Sequence, residues 1–310
     1  MSKDKRRVFA FGCSYTAYCS GPSWADLLNL DFDYVENWGM PGIGCRAIAE
    51  RVAECHAYNK FTPDDIVIVQ WTTHLRHDYH NPDWTPEGTN NTLNWKTGGS
   101  IFSQINRGSY NAKWQRQFFY EPSYVMHCLN HILLTQNLLE NTGCTWYMTS
   151  IGDWQKLSTD LDDINGSLEK PPDEVRQLSI EENIPEYKPY LKAIWDDRSD
   201  KWLKPLALHA QESNIPFQEF FDFKRFAKTR EMHPSPEHNV TWLNTYLRPK
   251  LGLGDPPIEQ KLWCESLEKF REKHYNSLDV FWKNINQPTI SQDWWWPNDP
   301  AWWPTVFKGY

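Results

Sequence analysis

No apolar run in the 310 residues approaches the length needed to cross a bilayer. The N-terminus passes from a few charges straight into a short strand-like run, without the apolar core and cleavage site of a secretory leader, so the expected location is the cytoplasm. Basic clusters are also scarce: 32 Lys and Arg face 40 Asp and Glu, for a net charge of −8, and only residues 3–7 are locally basic. A grip on a phosphate backbone is therefore not expected, and neither nucleic acid nor a membrane is an expected partner.

Seven cysteines at 13, 19, 45, 55, 128, 144 and 264 contain no C-x-x-C and are odd in number, which reads as reduced thiols rather than a disulfide frame. Neither glycine-rich phosphate-binding pattern occurs, so no nucleotide or other cofactor is expected. His74, His77 and His80 would have to share a helical face to hold zinc, and no ligating carboxylate motif accompanies them. The stretch from Asp160 to Gly166 fails as a calcium loop, because placing Gly166 sixth puts Leu161 first. No metal site is expected.

What the chain has in excess is tryptophan. Five of its 18 indoles fall in Trp294–Trp296 and Trp302–Trp303, among Pro297, Pro300 and Pro304, which forbid a continuous helix. Five rings left in water would form an apolar patch of the kind that marks an interaction surface. A protein partner or a second copy of the chain is expected to cover them.

Short β-rich runs alternate with longer helical patterns, which predicts a three-layer α/β/α sandwich around a parallel, flavodoxin-like five-stranded sheet. The strands are expected at residues 8–11, 33–36, 66–71, 145–149 and 217–221. Ser23 is placed to cap a short helix reaching 28, residues 43–58 and 124–140 carry helical apolar stripes, and Gly143 is placed to end the second. Two segments, 80–120 and 152–200, interrupt the alternation and are expected as insertions walling a site at the carboxyl ends of the strands. Residues 1–253 are read as one domain, and 254–310 as a helix with a Trp/Pro-rich tail.

Three polar blocks carry the candidate chemistry. Val8-Phe9-Ala10-Phe11-Gly12-Cys13-Ser14 delivers a serine to a strand tip, Asn37-Trp38-Gly39-Met40-Pro41-Gly42 forms a glycine-rich turn, and Glu231-Met232-His233-Pro234-Ser235-Pro236 precedes a helix. An exposed nucleophile, a base to take its proton and donors for the oxyanion are the parts an acyl-transfer site needs. Taken singly, each also reads as an ordinary cap, turn or helix start.

In order and spacing these blocks resemble the SGNH (GDSL-type) hydrolases, including diverged members encoded by tailed bacteriophages. The resemblance implies an esterase acting on O-acyl groups, often acetyl groups on carbohydrate. It makes Ser14 the nucleophile, His233 the general base, and Ser14, Gly39 and Thr73 the oxyanion hole, with Asn37 and Arg76 as substrate contacts. The chain departs from the pattern in three places: Cys13 holds the usual acidic position of the first block, Thr73 the asparagine position at the end of the third strand, and Arg230 the aspartate position before the histidine. Glu231 is the expected substitute for that aspartate. These departures leave open a different class of function, a binding or virion protein that keeps the scaffold without turnover and docks through its tail.

Overall fold

Strand β3, Ile66–Trp71, is buried at every position, as a strand covered on both faces of a parallel sheet must be. It lies beside β1, Asp4–Phe11, whose last four residues are equally buried. With β2, Phe32–Asn37, they belong to a four-stranded sheet in the order β2, β1, β3, β6, in which β6 is Thr145–Ser150; β4, Arg76–His80, and β5, Trp95–Ser100, lie between β3 and β6 in sequence. Every pairing in it is parallel, and the register sets Phe11 opposite Val69 and Val69 opposite Met148. The computed structural model describes residues 3–17, 23–40, 42–74, 76–80, 95–100, 121–151, 156–158, 177–179, 185–206, 234 and 236–260.

Alternation along the strands sorts the core into two layers. Phe9, Phe11, Val67, Val69 and Trp71 face helix α2, Cys45–Asn59, and helix α3, Glu121–Thr142, where Ile48, Val52, Val125, Leu129 and Ile132 are buried against them. Val8, Ala10, Ile66 and Ile68 face the other way, onto α1, Trp24–Leu27, and onto Trp242, Leu243 and Leu247. The result is a flavodoxin-like α/β fold with helices on both faces. Its strand order matches the expectation through the fourth strand, while the fifth, at 217–221, lies outside the described residues. At the β6 edge Trp202 forms a single parallel bridge to Met148, and the Leu203 N–H donates to Met148 O at 2.7 Å.

The helix ends follow local chemistry. Ser23 caps α1 and shares a capping box with Asp26, as its position predicts. Helix α3 stops at Gly143, whose φ of 72° only glycine adopts without strain. Helix α2 begins at Gly44, which has no side chain to cap it. The Asp78 carboxylate reaches across from strand β4, Arg76–His80, and accepts the Gly44 N–H at 2.8 Å and the Ala47 N–H at 3.3 Å.

Both expected insertions leave from carboxyl ends of parallel strands. After β3, β4 pairs antiparallel with β5, Trp95–Ser100; after β6, β7, Lys156–Ser158, pairs with β8, Gln177–Ser179. Because residues 76–80 are extended, the spacing of His77 and His80 puts them on opposite strand faces rather than one helical face. Among the described residues no group of three or more His, Cys, Asp or Glu is arranged to hold a metal ion.

The second insertion is not all wall. Residues 185–203, including helix α4, Lys188–Leu191, complete the α2/α3 layer: Ile194 and Trp195 are buried, Tyr187 Oη donates to Pro122 O at 2.7 Å, and Gln136 Nε2 donates to Ile194 O at 3.0 Å. The Asp, Glu and Pro content of the segment masked these widely spaced apolar residues.

On the opposite face, α5, Pro236–Trp242, runs through a π-helical stretch, Leu243–Leu247, into α6, Arg248–Leu251, which stops at Gly252 in the left-handed region. Arg248 is buried, pairs with Asp31 and donates to Gly254 O at 2.8 Å, tying this end of the fold to the start of β2. The five described cysteines are free and buried. Among the described residues no helix is long and apolar enough to cross a membrane.

Candidate functional site

Gly12 ends β1 because a larger residue does not fit there: a β-carbon would stand 2.1 Å from Thr16 Oγ1 and 3.0 Å from Gln70 O. The chain then coils into one helical turn, with the N–H groups of Thr16 and Ala17 both donating to Cys13 O at 3.0 and 2.9 Å. Ser14 sits in that turn, half-buried, beyond the tip of the strand that β2 and β3 flank. Cys13 is fully buried among the core residues of the α2/α3 layer.

Gly39 lies two residues past the end of β2 and Thr73 two past the end of β3, so Ser14, Gly39 and Thr73 all leave adjacent strands at the carboxyl edge. Neighbouring strands are about 4.8 Å apart, so the three segments leave the sheet side by side at one edge. The Trp38 N–H donates to Ala10 O at 2.7 Å and the Met40 N–H to Gly12 O at 2.9 Å, so the second block follows the first beyond the sheet.

Three of the expected site groups have partners within the chain. Asn37 is buried and faces inward: its Nδ2 donates to Thr16 O at 2.7 Å and to Asp26 Oδ1 at 2.9 Å, and its Oδ1 accepts the Gly39 N–H at 2.9 Å. The Gly39 N–H that the resemblance assigns to an oxyanion thus donates to Asn37 in this structure. Arg76 is half-buried and donates through Nη1 to Ile43 O at 2.9 Å, so its guanidinium braces the loop before α2. Thr73 is half-buried beyond β3.

Two groups that the sequence reading missed complete the surroundings of Ser14. Gln70 accepts from Thr16 Oγ1 at 2.9 Å, while its Nε2 is buried without a hydrogen-bond partner. A lone polar residue near the end of an otherwise apolar strand was the available signal. Asp26 accepts from the Ser23 N–H at 2.8 Å as well as from Asn37, and burial, outweighing these bonds, pushes its carboxyl up to about 6. Asp78, buried at the start of α2, is likewise pushed up to about 6 by burial.

His233 and Glu231 lie outside the described residues. The neighbouring Pro234 is buried, and α5 begins at Pro236. That helix docks beside the Ser14 turn's own support: Asn239 Oδ1 accepts the Trp24 N–H at 3.3 Å, and the Trp24 and Trp242 rings lie 5.6 Å apart.

Fold and site together define an α/β protein of flavodoxin-like topology with a serine at the carboxyl edge of its sheet. No family model matches the chain, and no curated protein matches it. Among solved structures it is similar to the YxiM protein of Bacillus subtilis, at 12% identity and a TM-score of 0.40, over 81% of this chain. The match spans 58% of that protein's chain.

Proposed function

We propose that this chain is a serine esterase of the SGNH type that hydrolyses O-acyl esters, with acetylated carbohydrate as its substrate class. The observation that carries this reading is Ser14 at the exit of a strand flanked on both sides, with Gly39 and Thr73 leaving the flanking strands beside it. In the proposed reaction Ser14 Oγ attacks the ester carbonyl as the His233 imidazole takes its proton. The tetrahedral oxyanion is held by the Ser14 N–H and the Thr73 hydroxyl. The imidazolium then protonates the departing alcohol, and water, activated by the same ring, hydrolyses the acyl-enzyme. Glu231 orients the ring and favours its charged form.

A second reading is favoured by one observation: the Gly39 N–H already donates to Asn37, so the oxyanion hole has a donor fewer than the resemblance implies. In this reading the chain is a binding protein, such as a virion component, that retains the scaffold and docks through residues 284–310. Hydrolysis of a chromogenic acetyl ester by wild type and Ser14→Ala separates the two. Turnover that vanishes in the variant supports the esterase; no turnover by wild type leaves the binding reading.

A further inference from the structure

We infer that Asn37, oriented by Asp26, is a positioning residue for the Ser14 site, locking the turn that carries the serine and the loop that carries Gly39 into one rigid unit without touching substrate. The inference rests on the reading of Ser14 as the nucleophile.

The argument begins with the carboxamide. Its nitrogen can only donate and its oxygen can only accept, and the three neighbours leave one orientation. Thr16 O and Asp26 Oδ1 are acceptors, so both must meet Nδ2; the Gly39 N–H is a donor, so it must meet Oδ1. Every hydrogen-bonding edge of the amide that faces these groups is used, and a flipped amide would set acceptor against acceptor at two places and donor against donor at the third.

The partners belong to three separate segments. Thr16 lies in the turn that contains Ser14, Asp26 lies on α1, and Gly39 follows β2. Asn37 is thus the only described side chain bonded to all three. Thr16 O receives a second donor, Ser23 Oγ at 2.5 Å, and Thr16 Oγ1 donates to Gln70 on β3, so the turn is held from both flanking strands and from α1. Asp26 is itself held by the Ser23 N–H, which stops the carboxylate from rotating away. Gly39 is pressed so closely on the turn that its α-carbon has no room for a substituent. Displacing a nucleophile by about 1 Å costs on the order of a hundredfold in rate, so a lock at this place acts on kcat.

The test uses the full chain and two readouts. The first is kcat and KM on a chromogenic acetyl ester, together with mass labelling of Ser14 by an alkyl fluorophosphonate. The second is amide hydrogen exchange at residues 14–17 and at Gly39, which does not depend on activity. Asn37→Ala is expected to lower kcat about a hundredfold with KM within about threefold, and to strip exchange protection from both segments. Asp26→Asn should lower kcat less, and combining it with Asn37→Asp should recover part of the loss, because the exchanged pair can again form an amide-to-carboxylate bond. Wild-type kcat in Asn37→Ala, a loss carried by KM alone, or unchanged protection at residues 14–17 would overturn the inference.

If the wild type neither turns over the ester nor labels at Ser14, the esterase reading falls. The exchange measurement then decides the lock by itself: lost protection sustains it and retained protection rejects it. Should Asn37→Ala fail to fold, Asn37→Asp provides the same measurement. It keeps an acceptor for Gly39 while setting a second oxygen against Thr16 O and Asp26.

Discussion

Gly39 stands so close to Ala17 that a β-carbon on it would lie 2.4 Å from the Ala17 amide nitrogen and 2.8 Å from the Thr16 carbonyl carbon. Both are backbone atoms of the Ser14 turn, so neither can rotate aside. Gly39→Ala is expected to destabilise the fold by about 2–4 kcal/mol and to displace the turn. Gly254→Ala, at a position with nothing within 4 Å, should change stability by less than about 0.5 kcal/mol. Equal urea midpoints for the two variants would contradict the close approach.

The esterase reading predicts that Ser14→Ala loses at least about a thousandfold in kcat while its melting temperature stays within about 2 °C of wild type. Glu231→Gln should lower kcat and leave the fold intact, because it removes the charge that favours the imidazolium but not the side chain's volume. Undiminished turnover in Glu231→Gln would leave a serine–histidine pair without a third member.

Asp78 links stability to pH. Its folded carboxyl is pushed from 3.8 up to about 6 by burial, so the folded state holds this proton more tightly than the unfolded chain. The associated stabilisation is complete below about pH 4 and is lost as pH rises through about 6, a change of about 3 kcal/mol. Subtracting the unfolding free energies of Asp78→Asn from those of wild type at each pH isolates this contribution. A difference that does not vary between pH 4 and 7 would refute it. Asp26 is raised in the same direction and supplies a second contribution over the same window.

Trp242 is fully buried, lies against Trp24, and donates through Nε1 to Lys204 O at 2.7 Å. Trp242→Ala should cost about 3–5 kcal/mol through cavity formation, measured by urea unfolding. A loss below about 1 kcal/mol would show that α5 is not anchored there.

The Trp-rich tail gives the partner proposal its test. Deleting residues 284–310 should leave the thermal transition and any ester turnover intact while abolishing self-association or partner capture, followed by sedimentation. A truncated chain that unfolds would assign the tail to the core.

Much of the fold was legible because its signals lie between neighbours in the chain. The apolar runs in β1 and β3, the Ser23 cap and the Gly143 stop each depend on backbone preferences within a few residues, and each appears where the sequence puts it. The strand positions also foretold that Ser14, Gly39 and Thr73 leave adjacent strands, since parallel alternation brings successive strand ends to one edge.

Tertiary packing decided the rest. Asn37 reads as a substrate contact in a glycine-rich turn, yet it is buried between the Ser14 turn and α1, where its amide meets Thr16, Asp26 and Gly39. Arg76 reads as a substrate contact, and folding sets its Nη1 on a carbonyl 33 residues earlier, while Asp78 caps a helix that begins 33 residues before it at Cys45. Tyr187, Ile194 and Trp195 sit in a stretch whose charge and proline suggested surface, and they close a core layer. Periodicity and capping act over one or two turns of chain and can be read locally; the partner of a buried polar group is whichever group folding brings against it, and that is settled only in three dimensions.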